Sequence, residues 1–444
     1  MLDQLTRRQV LRSASLAAFA AFLPPLLRST EFARTVSSTR TLILLELEGG
    51  NDGLNTIIPF ADAAYAAARP SLKLTPSLSA TSPDVLEYTK TYVPFVGAGA
   101  YTTFTDGASG LVGTQTGLGI HKALMPLQLA WKANDLAIVQ GVGYGNPNRS
   151  HFRGIDIWNS AVTDNQAFVA SGWLGRMFTS EGVDTSSKTN GMLFRRPNNN
   201  PLVQANLRAV SMNNPKDFID NSADIAEFSV TPPVATGNAA LDQVLVARYQ
   251  AAQARESLVT AMATSAAVQI ESTWKTTFPE TNLGEQAKDI ARCIAGGLNC
   301  AFYKMSIGGF DNHTDQKTKH ADLLGNVGKS LAALRQALKD AGKWDDVLIM
   351  TYSEFGRRLE QNGSNGTDHG TAAPHFFMGG LVNGGIYGSH PSLTTLDSSG
   401  DMIHNTDFRR LYATCGSWLG VTTQHVNTAL TLDSGTDYLP LGVI

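Results

Sequence analysis

Short apolar runs alternate along this chain with segments of helical periodicity. The runs, each of which ends at glycines or at a polar loop, are 41–47, 136–140, 301–307, 347–352 and 375–378. Apolar residues at helical spacing occupy 120–134, 241–273, 286–298, 318–341 and 407–419. Uninterrupted apolar strands that alternate with helices are typical of parallel sheets buried on both faces. The pattern therefore predicts an α/β fold with a mostly parallel sheet sandwiched by helices.

Two polar stretches interrupt this alternation. Residues 74–116 are rich in Ser, Thr, Gly and Tyr, and residues 185–237 are rich in Asn and Pro. Loops of this length are uncommon in a compact domain unless they are functional. We interpret both stretches as insertions that wall or cover the site of a single domain spanning residues 36–444.

The first 35 residues have the pattern of an export signal. Arg7 and Arg8 precede an apolar run at 14–27 that is too short to span a bilayer comfortably. A paired arginine before a mild apolar stretch predicts a twin-arginine signal peptide, and hence the twin-arginine export machinery as a partner. Because no Ala-x-Ala precedes Thr35, an uncleaved anchor is an alternative to cleavage. We expect the protein in the periplasm or outside the cell, without a transmembrane helix in its mature part.

Charge and cysteine content exclude two kinds of function. The chain has 35 Lys and Arg against 38 Asp and Glu, without a basic block, so the sequence argues against a nucleic-acid partner. The cysteines are Cys293, Cys300 and Cys415, and they form no C-x-x-C motif. This argues against a disulfide scaffold and against a thiolate zinc site, and we expect buried thiols.

Polar residues with catalytic or metal-binding chemistry follow the predicted strands. Carboxylates, imidazoles, arginines and one hydroxyl occur there in the motifs GGNDGLNT, NRSHFRG, GGFDNH, SEFGRR and GTDHGT. The carboxyl ends of parallel strands share one edge of a sheet, so these side chains are expected to lie together. Oxygen and imidazole ligands suit divalent cations, and a hydroxyl beside such a cation can become a nucleophile.

Each residue also has an ordinary interpretation. Asp52, Asp311 and Asp368 adjoin Gly or Asn and would serve as turn residues. Ser150 would serve as a helix N-cap, and His375, at the start of an apolar strand, as a core residue. The order of the motifs is more informative than any one of them.

In that order the motifs resemble the alkaline phosphatase and sulfatase superfamily, and more specifically the bacterial exported family called domain of unknown function 1501. The resemblance covers about residues 40–419. It implies an alkaline phosphatase/sulfatase-like fold, a Ser nucleophile and a divalent metal, with one or two ions of zinc, calcium, manganese or magnesium. Ser150 matches the nucleophile position, and His151 would orient or stabilise it. Arg149 or Arg357 would bind the remaining anionic oxygen.

The resemblance also implies a set of metal ligands, with departures from the superfamily pattern. The ligand candidates are Asp52, Asp311, His313, Glu354, Asp368 and His369. Asp311 and His313 match the Asp-His pair at an unusual D-x-H spacing, and Glu354 occupies a strand end where phosphatases carry Asp-His. An alternative register makes Asp368 and His369 the pair and His375 the last ligand. The ligand after the first strand is Glu48, Asn51 or Asp52.

The leading hypothesis is an exported metal-dependent hydrolase of phosphate or sulfate esters, with an anionic ester as substrate. The alternative is a non-catalytic exported binding or assembly protein on the same scaffold, because one imidazole of the superfamily pattern is missing at Glu354.

Overall fold

A computed structural model describes residues 40–74, 92–93, 118–182, 190–194, 200–204, 207, 209–221, 231–264, 267–268, 270, 276–432 and 435–444. The expected signal peptide at 1–35 and most of the stretch 74–116 lie outside these residues. Among the helices of the described part, none is long and apolar enough to cross a membrane.

Within the described residues, the centre of the fold is a nine-stranded sheet with one antiparallel member. Its strands are β1 (Thr41–Leu47), β5 (Leu136–Gly143), β6 (Gly191–Phe194), β7 (Ala209–Met212), β8 (Phe302–Ile307), β9 (Val347–Tyr352), β12 (Ala373–Met378), β13 (Gly385–Tyr387) and β14 (Thr406–Asp407). The spatial order is β13-β5-β12-β9-β1-β8-β6-β7, and β14 also pairs with β5. β12 runs antiparallel to its neighbours, β5 and β9, whereas the other pairs of described strands in this sheet are parallel. The predicted α/β class with a mostly parallel sheet is confirmed.

Small strands lie outside the main sheet. They are β2 (Ile57–Ile58), β3 (Tyr92–Val93) and β4 (Gly119–His121), which form one sheet, and the hairpin of β10 (Arg357–Gln361) and β11 (Thr367–His369). The hairpin follows β9 along the chain and precedes β12. It therefore stands at the edge of the main sheet where β9 ends.

Helices cover both faces of the sheet. In chain order they are α1 (Gly53–Thr56), α2 (Ala63–Ala68), α3 (Gln128–Lys132), α4 (His151–Ser160), α5 (Trp173–Glu181), α6 (Pro215–Asn221), α7 (Ala239–Met262), α8 (Asn282–Ala295), α9 (Gln316–Asp340), α10 (Arg409–Leu419) and α11 (Thr423–Leu430). Successive residues of β1 point to opposite faces: Ile43 and Leu45 join the core under α8 and α9, whereas Leu42 and Leu44 join the core under α4 and α10. The continuous apolar runs are thus explained by burial on both faces.

Two local predictions need correction. The helix expected over 120–134 is instead β4, a 3₁₀ helix at Lys122–Leu127 and the short α3. Pro126 lies inside the 3₁₀ segment and lacks the N–H that a continuous α-helix requires. The stretch 185–237, interpreted as an insertion, contributes β6 and β7 to the main sheet. Its role as a wall of the site stays a prediction.

The cysteines are buried thiols, as expected. Cys293, Cys300 and Cys415 are all free and buried. Cys293 lies within α8, whereas Cys300 lies beyond its end.

A buried histidine in β12 gives the fold a dependence on pH. His375 is 2% exposed, and burial lowers its pKa to about 3. In the unfolded chain a histidine has a pKa of about 6.5. Between pH about 6.5 and 3 the unfolded chain therefore binds a proton at His375, whereas the folded chain keeps this ring neutral. The contribution of His375 to the unfolding free energy is complete above pH about 6.5 and is lost as the pH falls toward 3.

This dependence predicts a difference between the metal-free wild type and metal-free His375→Gln. When the pH is lowered from 7 to 5, we expect the unfolding free energy of the wild type to decrease by about 2 kcal/mol more than that of the variant. Urea denaturation at several pH values measures this, and parallel curves would contradict it.

Candidate functional site

The ends of β1, β5, β8 and β9 and the start of β12 lie at one edge of the sheet. Glycines shape the turn after β1, where Gly49 and Gly50 have φ of +115° and +80°. A Cβ at Gly49 would lie 2.4 Å from the backbone nitrogen of Asp311, so only glycine allows this approach of two loops. The loop after β8 is thereby placed directly beside the end of β1.

Three imidazoles converge at this edge from different elements. His151 is the first residue of α4, His313 lies in the loop after β8, and His369 ends β11. Each has an acceptor at Nδ1. The Nδ1 atoms of His151 and His313 lie 2.8 Å from Glu354 Oε1 and 3.1 Å from Asp368 Oδ1. The Nδ1 of His369 lies 2.8 Å from the carbonyl oxygen of Arg149. Because carboxylates and carbonyls accept, these partners assign the Nδ1–H tautomer to all three rings.

The Nε2 atoms of the same three rings point to Asp311. His313 Nε2 and His369 Nε2 lie 2.9 Å and 3.0 Å from Asp311 Oδ1, and His151 Nε2 lies 3.4 Å from Oδ2. The Nε2 atoms of His313 and His369 are only 3.1 Å apart. With protons on Nδ1, the neutral rings aim lone pairs at a carboxylate and at one another. Such an arrangement requires cations, which are either protons or a metal ion.

His151, His313, His369 and Asp311 form a cluster in which neighbouring groups shift the pKa values of Asp311 and His151. Burial opposes ionisation of Asp311, but the hydrogen bond from Arg357 and the contact with the His369 ring outweigh it and hold the pKa of Asp311 well below its usual range. The hydrogen bond to Glu354 is the main cause of a raised pKa for His151. Asp311 is therefore an anion at neutral pH, while 45% of its side chain remains open to solvent.

Glu354 accepts a hydrogen bond from His151 and is itself held by backbone N–H groups. Its side chain is 2% exposed. Oε1 accepts from the Gly49 N–H at 2.8 Å, and Oε2 accepts from the Gly50 N–H at 3.2 Å and from the Ser353 hydroxyl at 3.2 Å. These bonds fix the carboxylate, so they also fix the ring of His151.

Arg357 is buried rather than open to a substrate. Its Nε donates to the Gly50 carbonyl at 2.7 Å, and its Nη1 donates to the Thr367 carbonyl at 2.8 Å. Its Nη2 donates to Asp311 Oδ1 at 2.7 Å and contacts the Gly49 carbonyl. With its side chain 1% exposed, this guanidinium is placed to position Asp311.

Ser150 and Arg149 lie beside the cluster. Ser150 is the N-cap residue of α4, yet its side chain makes no capping hydrogen bond and the residue is exposed. Its backbone N–H donates to Asn148 Oδ1 instead, at 2.9 Å. Ser150 therefore lies in the chain between two residues that contact the imidazoles or Asp311: Arg149, whose carbonyl accepts from His369, and His151.

Asp52 is not brought to this cluster. Its Oδ2 contacts Arg69 Nη1 at 2.5 Å and Gln316 Nε2, and its Oδ1 caps α1 through the Leu54 N–H. Burial favours the neutral acid, but the charge of Arg69 overcomes this and the pKa of Asp52 is lowered. We therefore leave Asp52 out of the ligand set, because both of its oxygens are engaged in a buried ion pair.

The sequence offered two Asp-His pairs as ligands, Asp311 with His313 or Asp368 with His369, and the structure brings both pairs together. Asp311, His313, Asp368 and His369 all belong to the same constellation. His375 lies within the sheet, with its ring 5.3 Å from that of Trp158. In this cluster the sequence did not predict the role of Gly49 and Gly50, whose N–H groups donate to Glu354. From the sequence this glycine pair indicated only the end of a strand.

Comparisons with known proteins give a family and distant structural similarities. The family model described as "Protein of unknown function (DUF1501)" matches residues 39–430. No curated protein matches the chain. The chain is 11% identical to the lipoteichoic acid synthase LtaP from Listeria monocytogenes, covering 94% of this chain and 78% of that one at a TM-score of 0.36. It is 11% identical to the phosphonate monoester hydrolase of Agrobacterium radiobacter, covering 86% and 74% at a TM-score of 0.31. It is 10% identical to Ps i-CgsB, covering 90% and 77% at a TM-score of 0.37.

Proposed function

The chain belongs to the DUF1501 family of proteins of unknown function, and we propose that it is an exported metal-dependent hydrolase of phosphate or sulfate esters. The observation that carries this proposal is the convergence of three imidazole Nε2 atoms on Asp311, beside an exposed serine at a helix start. Imidazoles and a carboxylate supply the ligands, and Ser150 supplies the nucleophile.

The proposed ligands are His151, His313, His369 and Asp311. Ligand atoms about 2.0–2.2 Å from a tetrahedral zinc ion lie about 3.3–3.6 Å apart. The Nε2 atoms of His313 and His369 lie 2.9 Å and 3.0 Å from Asp311 Oδ1 and 3.1 Å from each other, and His151 Nε2 lies 3.4 Å from Asp311 Oδ2. The ligand atoms of His151, Asp311 and His369 all lie within 4.8 Å of one another, so these three form the centre of the proposed site and His313 adjoins them. Three nitrogen donors favour zinc or another transition metal over calcium and magnesium, which prefer oxygen. In this proposal Glu354 and Asp368 orient imidazoles and are not ligands.

In the proposed reaction, Ser150 is the nucleophile, and the two arginines Arg149 and Arg357 bind anions. A bound divalent ion would polarise the ester oxygens and lower the pKa of a nearby hydroxyl. Ser150 Oγ forms a bond to phosphorus or sulfur and its proton passes to solvent water, while the alcohol leaves and takes up a proton from water. Water then cleaves the seryl ester and releases phosphate or sulfate. Arg357 positions Asp311, and Arg149 remains available for an anionic group of the substrate.

Elemental analysis followed by an ester screen tests the proposal. Protein exported by its own signal and purified without chelators is expected to contain about one equivalent of a transition metal. It is then assayed on aryl phosphates and aryl sulfates before and after chelation, with readdition of the metal as the control. Hydrolysis that disappears with the metal and returns with it supports the proposal. A metal-free protein without activity would favour the non-catalytic binding scaffold.

The role of Glu354 gives a separate prediction. Glu354→Gln removes the charge behind His151 and leaves the proposed ligands in place. Loss of such an orienting carboxylate weakens metal binding, and we expect a decrease of about 10- to 100-fold. Competition with a chromophoric chelator measures the affinity. Glu360→Gln, an exposed glutamate on β10, is the matched control and is expected to bind as wild type. Unchanged affinity in Glu354→Gln would contradict the orienting role.

A further inference from the structure

A second charged assembly lies next to the cluster and is formed by two arginines on one buried aspartate. Asp401 is fully buried, with an exposed fraction of 0%. Its Oδ2 contacts Arg149 Nη2, and its Oδ1 accepts from Arg358 Nε at 3.0 Å. Ion pairs between exposed side chains contribute little, but a buried carboxylate that binds two guanidiniums fixes their positions.

Both guanidiniums keep part of their surface and of their donor capacity. Their side chains are 34% and 36% exposed. Arg149 contacts Asp401 and, at 3.7 Å, Asp397 through Nη2. Arg358 uses Nε for Asp401 and Nη2 for the Ser399 carbonyl. The Nη1 groups of both arginines have no acceptor within the described part of the chain, and the buried Nε of Arg149 likewise has none there.

Arg149 connects this assembly to the cluster. Its carbonyl accepts from His369, whereas its side chain extends to Asp401. Arg358 directly follows Arg357, which binds Asp311. The pKa of Asp368 is lowered chiefly by its hydrogen bond from Asn362, and the charge of Arg358 adds to this effect. The arginine pair therefore adjoins the cluster without being part of it.

We propose that Arg149 and Arg358, positioned by Asp401, form a subsite for a second anionic group of the substrate. This inference rests on the proposed function for the bond that is cleaved, and it names the substrate class: an ester that carries another negative charge close to the scissile group, as in a phosphorylated or sulfated polymer. Guanidiniums with free N–H groups recognise carboxylate, sulfate and phosphate oxygens through paired hydrogen bonds.

Two non-hydrolysable probes that differ by one carboxylate separate the subsite from the cluster. Methylphosphonate carries a single anionic group, and phosphonoacetate carries a carboxylate as well. Calorimetry on metal-loaded protein is expected to show phosphonoacetate binding roughly ten- to hundredfold more tightly, the range for charge-assisted hydrogen bonds. In Arg358→Gln we expect this ratio to fall toward one while methylphosphonate affinity stays near wild type. Arg292→Gln, an arginine on α8, is the control.

Asp401→Asn distinguishes a positioning residue from a simple counter-ion. Removing a negative charge beside two arginines would strengthen anion binding if Asp401 only neutralised them. If Asp401 positions the guanidiniums, the variant loses the preference for phosphonoacetate, and this is the result we expect. Arg358→Lys keeps the charge without the planar fork and is expected to recover only part of the preference. Thermal unfolding confirms that each variant is folded before binding is compared.

The outcomes separate the subsite from the proposed hydrolase. A wild-type ratio near one, or a ratio unchanged in Arg358→Gln, overturns the subsite and leaves the hydrolase standing. Tight phosphonoacetate binding that depends on Arg358, without ester hydrolysis, supports the subsite and refutes the hydrolase. Binding of neither probe overturns the subsite as well.

Discussion

Asp311→Asn is expected to lower metal affinity by more than about 100-fold, the largest effect on metal binding among the substitutions considered. The substitution removes the only carboxylate among the four proposed ligands and leaves Arg357 facing a neutral amide. Three nitrogen donors remain, but the negative charge that offsets the ion is lost. Metal content after dialysis and a chelator competition measure the effect.

Asp322→Asn provides the control for this experiment. Asp322 is exposed on α9, and its replacement is expected to leave metal binding unchanged. Full metal occupancy in Asp311→Asn at wild-type affinity would remove Asp311 from the ligand set. Loss of occupancy together with loss of folded structure would show only that Asp311 stabilises the fold, so circular dichroism accompanies each measurement.

Ser150→Ala is expected to reduce ester hydrolysis by about four to six orders of magnitude while metal content is retained. The physical reason is loss of the oxygen that forms the covalent bond. Because the Ser150 side chain makes no capping hydrogen bond, the substitution should cost little stability. Steady-state rates and elemental analysis on the same preparation give both quantities.

Ser417→Ala is the matched control for the nucleophile. Ser417 is exposed on α10, and its replacement is expected to leave the rate unchanged. A fully active Ser150→Ala would assign the attack to water and would end the covalent mechanism. A variant that loses metal as well as activity would indicate that Ser150 contributes to metal binding.

The sequence predicted most of the strands because they are buried on both faces. The run 41–47 is apolar except for Thr41 and Glu46 and coincides with β1, and 347–352 coincides with β9. Helix α9 was predicted within two residues at each end. The prediction of one helix over 120–134 was wrong because it relied on the spacing of apolar residues and did not take Pro126 into account. Pro126 lacks the N–H that a continuous α-helix requires, and it lies in a 3₁₀ helix.

The candidate site was predicted less completely than the fold. His313, His369 and Asp311 were recognised because they follow strands that share one edge. Asp52 was expected there for the same reason, but Arg69 and Gln316 come from other parts of the chain and engage its carboxylate. Asp401 was missed because it lies in a loop with no catalytic motif, and only the folded chain shows that it binds two arginines.

The reversed direction of β12 places part of the site on one continuous segment of the chain. Since β12 runs opposite to β9, the chain leaves the sheet after Tyr352 and returns to the same edge at Ala373 without a crossover helix. Residues 353–372 between them contain Glu354, Arg357, Arg358, Asp368 and His369. This segment is therefore a cassette with both ends anchored at neighbouring strands. Exchanging it between homologues would transplant about half of the polar constellation in one step and leave the nine-stranded scaffold intact.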